Sequence, residues 1–292
     1  MNINLLRKMG HKVVDVFPFF NELELLELRL KILYPYVDKF NIIECAQTFS
    51  GKSKPLYFTE NQNRFEEWSD KLNVYIVNDP LLSRKDLKTR LLDEESPNDD
   101  IWILRQLNSS RLTEGAFHWK QEFYQKECAR RTISDLDDQD IIFYGDLDEI
   151  WNPLIEFEWS DHQIFKLEQT VFQYWMNNRS SEKWNSAFFT AAKNIRGESL
   201  NKIRSIQNGI EIVRVPTGGW HFTFQGGANR IRYKIESYGH QEFNKRRIKS
   251  NIENQLSSNL DLFGRGLEFW VDESTLPDKV LEMKNQHPDW FL

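Results

Sequence analysis

Lys12 to Phe20 reads KVVDVFPFF, a β-branched and aromatic run with Pro18 near its end, and so a strand. Asn21-Glu22-Leu23-Glu24 follows with a helix-start pattern in which Asn21 caps the helix and Glu24 reaches back to it. Leu23, Leu26, Leu30 and Leu33 then recur at steps of three and four, one apolar stripe that ends before Pro35. Phe40 to Cys45 is a second short apolar run with Glu44 near its C-terminal end, and Leu72 to Val77 alternates as a third strand. From Asp79 to Trp119 the periodicity is weak and charge is crowded between Ser83 and Asp100, which predicts a long, mobile or insertion-like segment. Trp119 to Ile133 has a helical pattern, and Asp140 to Tyr144 is a buried strand running straight into Gly145-Asp146-Leu147-Asp148-Glu149-Ile150. This order predicts an α/β fold, an open sheet with flanking helices, in which ligands gather at the carboxyl ends of the strands.

Beyond Pro153 the pattern changes. Gln163 to Gln169, Ser186 to Ala192 and Glu211 to Val215 read as strands, and Gly218-Gly219-Trp220-His221 reads as a turn inside an aromatic run. Asn229 to Tyr238 and Asn244 to Ser257 read as helices. No repeat, low-complexity tract or Pro/Ser linker interrupts the chain, so the expectation is a single domain over residues 1–292, in two halves that divide near Ile150.

Composition narrows the class. The 292 residues are 40% hydrophobic and 28% charged, which excludes a disordered or fibrous chain. Thirty-eight basic against 44 acidic residues give a net charge of −6, which argues against a broad nucleic-acid-binding face. Cys45 and Cys128 stand alone in their segments, so no disulfide framework or CxxC metal site is available, and both thiols are expected reduced and buried. No apolar run is long enough to span a membrane and the N-terminus lacks a signal-peptide pattern, so the expectation is a soluble, cytoplasmic protein without a transmembrane segment. With 10 Trp and 21 Phe, the chain has aromatics for a thick core or for stacking on sugars, with Trp184, Trp220 and Tyr238 as candidates for either.

Asp-x-Asp occurs at Asp135/Asp137, Asp138/Asp140 and Asp146/Asp148. The first two lie in a polar stretch and read as solvated turn acids. The third follows Ile141 to Tyr144 and stands at the mouth of the sheet, where two carboxylates beside Glu149 can share a hard divalent cation that also takes oxygens from a diphosphate. Helix capping ahead of Ile150 is the alternative. Like-charge repulsion within the pair predicts that neutralising either acid leaves the fold as stable as before, or slightly more so.

The residues also carry a likeness. Val14-Asp15-Val16-Phe17, the helix Asn21 to Leu30, Ile42-Ile43-Glu44, Thr48-Phe49-Ser50-Gly51-Lys52 with Lys54-Pro55-Leu56-Tyr57-Phe58, and Asp146-Leu147-Asp148-Glu149-Ile150 resemble glycosyltransferase family 17, which contains the transferases that add bisecting GlcNAc to N-glycans. Gly219-Trp220-His221-Phe222 and Lys234-Ile235-Glu236-Ser237-Tyr238 with His240-Gln241-Glu242 are similar to its C-terminal motifs, so the likeness runs from about Lys12 to about Phe243. Trp151 departs from it, since the family goes more quickly to proline. The resemblance implies a GT-A-type, Rossmann-like sheet with a nucleotide-binding half at about 12–150 and an acceptor-side half at about 151–292. It also implies a UDP-sugar donor, GlcNAc in first place and xylose as an alternative, a glycan acceptor, a Mn2+ or Mg2+ ion held by Asp146/Asp148, and inversion at the anomeric carbon.

On that analogy Asp148 ligates the ion directly and Asp146 contacts ribose or the ion through water. His221, after two glycines, is a third ligand, a phosphate donor or a structural histidine. Arg230 and Lys234 share a helix face, and one of them neutralises the diphosphate unless both are surface charge. Asn21, Glu22 and Glu44 stand where such a sheet grips base and ribose, with helix capping for Asn21 and a lysine salt bridge for Glu44 as the alternatives. The general base that an inverting transferase needs is not identified, and Glu236, Glu242 and Glu168 are its candidates. A glycoside hydrolase using paired carboxylates and a non-catalytic sugar-binding protein are the competing classes.

Overall fold

A computed structural model describes residues 1–93, 98–111, 114–205 and 211–292. Ten strands form one sheet: β1 (Val13–Phe19), β2 (Lys39–Cys45), β3 (Leu72–Val77), β4 (Ile141–Tyr144), β5 (Glu149–Trp151), β6 (Ile164–Gln173), β7 (Asn178–Trp184), β8 (Phe188–Ala191), β9 (Ile212–Thr223) and β10 (Phe269–Val271). Its main path runs β10-β7-β6-β8-β4-β1-β2-β3, while β9 pairs with β6 and β5. The pairs β1/β2, β2/β3, β1/β4 and β6/β9 are parallel, and the others are antiparallel. The helices in chain order are α1 (Ile3–Lys8), α2 (Leu23–Leu33), α3 (Tyr57–Glu60), α4 (Arg84–Leu91), α5 (Asn98–Ser109), α6 (Phe117–Glu127), α7 (Leu200–Arg204), α8 (Gly227–Ser237), α9 (Arg246–Lys249), α10 (Ile252–Ser257) and α11 (Asp278–Met283). This is the expected Rossmann-like α/β sheet with flanking helices.

Strand β4 reads as an unbroken apolar run, and β1 and β2 nearly so, because both of their faces are covered, whereas β3 at the sheet edge alternates. Along β1, Val13, Phe17 and Phe19 pack into one core with Leu26, Leu30 and Leu33 of α2, whereas Val14 and Val16 pack into the other with residues of α5 and α6. Aromatics thicken the first core. Phe143 stacks on Trp151 at 3.8 Å between ring centroids and on Phe189 at 4.8 Å, which gives the unexpected tryptophan a packing role. Cys45 and Cys128 are buried and free.

Four expectations need correction. The weakly periodic stretch after Asp79 carries two helices, α4 and α5, with Ile103, Leu104 and Leu107 buried against the sheet; residues 94–97 of that stretch lie outside the described residues. Asn21 does not cap α2: Glu22 holds the cap position and no side chain bonds there. The helix expected over Asn244 to Ser257 is two short ones, α9 and α10. Finally, the Gly218-Gly219 pair lies inside β9 rather than in a turn. A β-carbon on Gly218 would stand 2.8 Å from Leu167 Cα, and one on Gly219 would stand 2.2 Å from the Ile150 carbonyl oxygen at a φ of 146°. These glycines let β9 approach β6 and β5 closely, which a turn reading does not capture.

Candidate functional site

Strands β1 to β4 are parallel, so their carboxyl ends meet at one edge, and a cavity of about 630 Å3 opens there. Phe19, Cys45 and Val77 close β1, β2 and β3 against it, and Asp146 and Asp148 follow β4 into it.

A buried ion pair fixes the backbone of this acidic turn. Arg29 of α2 forks onto Asp15 of β1 with two bonds of 2.7 Å, and both side chains are essentially inaccessible. Arg29 Nη1 also donates to the carbonyls of Asp146, Leu147 and Glu149 at 3.1, 3.0 and 2.9 Å. The Trp151 indole donates to Asp15 at 3.2 Å. A bidentate guanidinium is suited to holding a carboxylate and several carbonyls in one rigid arrangement.

Each acid of the turn has cation partners of its own. Asp148 is buried; Lys234 Nζ donates to its Oδ2 at 2.7 Å and His221 Nε2 stands 3.6 Å from the same oxygen. Burial alone would raise the Asp148 carboxyl, but Lys234 and His221 hold it far below the usual carboxylate range. Asp146 takes Arg204 at 2.9 Å and Lys126 at 3.1 Å, and against the opposing effect of burial these two lower it as well. Arg204 also forks onto the fully buried Glu149 at 2.7 and 2.9 Å, and the Trp184 indole completes that carboxylate at 2.6 Å. Lys126 is shared with Glu122 at 2.9 Å. Behind them, the buried Lys166 donates to the carbonyls of Ser186, Ile203 and Arg204, which ties the end of α7 to the sheet. The expected repulsion between Asp146 and Asp148 is therefore relieved by side chains, and removing either acid leaves a cation short of a partner.

Of the residues singled out from sequence, Asp146, Asp148, His221, Lys234 and Glu22 come together around the cavity, as do Trp184 and Tyr238. The other seven lie outside it. Glu44 is buried, accepts the Phe58 N–H at 3.0 Å and pairs with Lys54 at 3.5 Å, the salt-bridge alternative. The Asn21 N–H donates to Glu22, and Arg230 pairs with Glu24 at 2.6 Å over the Trp290 ring. Glu168 faces Arg214, Glu236 faces Lys249 and Glu242 faces His240, all toward solvent. Trp220 is a core residue whose indole donates to the Thr275 carbonyl.

Lys126, Arg204 and Glu122 were not singled out. Glu122 and Lys126, four apart in a helical pattern, carried a readable signal as a same-face pair, whereas Arg204 carried none. His221 Nδ1, Glu122 Oε2 and Tyr238 Oη are among the buried polar atoms of cavity-lining residues that have no hydrogen-bond partner among the described residues. Such atoms are costly unless a ligand or water meets them. His221→Ala is expected to weaken binding of UDP with Mn2+ at least ~10-fold by calorimetry, with a small change in melting temperature, because the ring touches Asp148 and Trp184 rather than the deep core.

No curated protein matches the chain. No helix among the described residues is long and apolar enough to cross a membrane. Residues 4–96 match the family model for glycosyltransferase family 17, a stretch that begins within α1, extends past the end of α4 and includes Asp15 and Arg29 beneath the acidic turn. Over that stretch the chain is similar to glycosyltransferase family 17.

Proposed function

We propose that this protein is a glycosyltransferase that moves a sugar, GlcNAc in first place, from a UDP-sugar to a glycan hydroxyl with inversion at the anomeric carbon. The observation that carries the reading is the cavity at the ends of the parallel strands, where Lys126, Arg204 and Lys234 surround the Asp146/Asp148 turn. Its edge at β1, β2 and β3, with Phe49 beside it, would take the nucleoside. Another part of the lining is aromatic, with Trp119, Tyr238, His240, Phe243 and Phe263, and would take the acceptor, since sugars stack their CH faces on rings.

A divalent cation suits the donor set. Lys126, Arg204 and Lys234 are already shared among Glu22, Glu122, Asp146, Asp148 and Glu149, so a bound diphosphate calls for further positive charge. Asp148 Oδ2 and His221 Nε2, 3.6 Å apart, offer the oxygen and nitrogen that Mn2+ accepts. Among the described residues no three metal-type side chains converge, which leaves the remaining positions to phosphate oxygens and water, as is usual for nucleotide-bound ions. Such an ion supplies charge against the departing diphosphate. Lys126, Arg204 and Lys234 orient the diphosphate, and the aromatic residues position the acceptor.

Release of UDP from UDP-GlcNAc, UDP-glucose and UDP-xylose, with MnCl2 present and water as the acceptor, tests the reading. It predicts UDP release that depends on the sugar, with UDP-GlcNAc fastest. No release from any of the three would overturn it.

A further inference from the structure

None of the three carboxylates expected as general base lines the cavity, so the proton of the attacking hydroxyl needs another acceptor. Five carboxylates do line it: Glu22, Glu122, Asp146, Asp148 and Glu182. Asp146 and Asp148 belong to the diphosphate end. Glu182 is held by Arg265 at 2.9 Å, while Glu22 takes the Asn21 N–H on one oxygen and faces Lys234 with the other. Glu122 differs, because Lys126 binds its Oε1 while its buried Oε2 has no hydrogen-bond partner among the described residues.

The position of Glu122 matches that vacancy in its bonding. Through Lys126 it connects to Asp146, where the leaving group would sit. On its other side Oε2 packs against Gly239, which joins Tyr238 to His240 of the aromatic wall; a β-carbon on Gly239 would stand only 1.7 Å from Oε2 and 3.2 Å from Trp119. Trp119 and His240 meet at 4.8 Å and Tyr238 and His240 at 5.6 Å, so the carboxylate stands where the aromatic wall meets the charged centre.

We infer that Glu122 is the general base of the transfer, an inference that rests on the UDP-sugar reading above. The acceptor hydroxyl gives its proton to Glu122 Oε2 as its oxygen bonds to the anomeric carbon. The bond from that carbon to the phosphate oxygen breaks, and its electron pair leaves on the diphosphate beside Lys126 and Arg204. Lys126 holds the Glu122 carboxylate in place through Oε1, and Gly239 leaves it room.

The test uses UDP-GlcNAc and MnCl2 with water as acceptor, since water must lose a proton in the same way. Glu122→Gln keeps the shape but cannot take the proton, so kcat for UDP release should fall at least ~100-fold. UDP affinity by calorimetry and KM should stay within about threefold of wild type. Gly239→Ala is the second variant and keeps the carboxylate. It should displace Glu122 and lower kcat at least ~10-fold with UDP affinity kept, and it decides the question if Glu122→Gln does not fold. Near-wild-type UDP release in Glu122→Gln, or a loss of UDP affinity that matches the loss of rate, would overturn the assignment. A wild type that binds and releases no UDP would instead overturn the transferase reading, and the base with it.

Discussion

Arg29→Met is expected to destabilise the protein by about 3–5 kcal/mol, because it leaves the Asp15 carboxylate buried without its partner. It also strips three carbonyls of the acidic turn of a donor. Thermal unfolding should show a melting temperature lower by roughly 10 °C for a chain of this size. Replacing both members, with Asp15→Leu added to Arg29→Met, should recover part of the loss, since no buried charge is then left alone. A loss under about 1 kcal/mol for the single variant would mean that the pair is not the anchor described here.

Asp148→Asn should reduce turnover at least ~100-fold, the scale of losing one electrostatic group that acts on the leaving diphosphate. Stability should fall as well, by about 1–3 kcal/mol, because Lys234 loses the carboxylate that it binds. The loss depends on pH. The Asp148 carboxyl is held below its ordinary value in the folded chain, so its contribution is full above about pH 4, the unfolded value, and fades as pH falls below it. The gap in melting temperature between wild type and variant should therefore narrow in acid. Asp146→Asn should be milder, since Arg204 and Lys126 keep Glu149 and Glu122 as partners.

Legibility from sequence followed burial. Strands β1, β2 and β4 were readable because strands buried on both faces are continuous apolar runs, and α2 was readable from one leucine stripe. Strand β7, NRSSEKW, was hidden because its side chains meet Arg265, Asp272 and Asn259 rather than a core. In β9 the glycines that allow close strand approach looked like a turn. The site divided in the same way. Asp146 and Asp148 stood out because they follow a buried strand, but their counter-charges come from α6, α7 and α8, brought together only by folding. The surface acids Glu168, Glu236 and Glu242 could not be told from Glu122 without knowing which of them faces the cavity.

The most direct test of the cavity as a nucleotide site is calorimetric titration of UDP into the wild-type protein, first with MnCl2 and then with EDTA in its place. The account predicts binding with Mn2+ that EDTA abolishes and fresh Mn2+ restores. No binding in Mn2+, or the same affinity in EDTA, would contradict it.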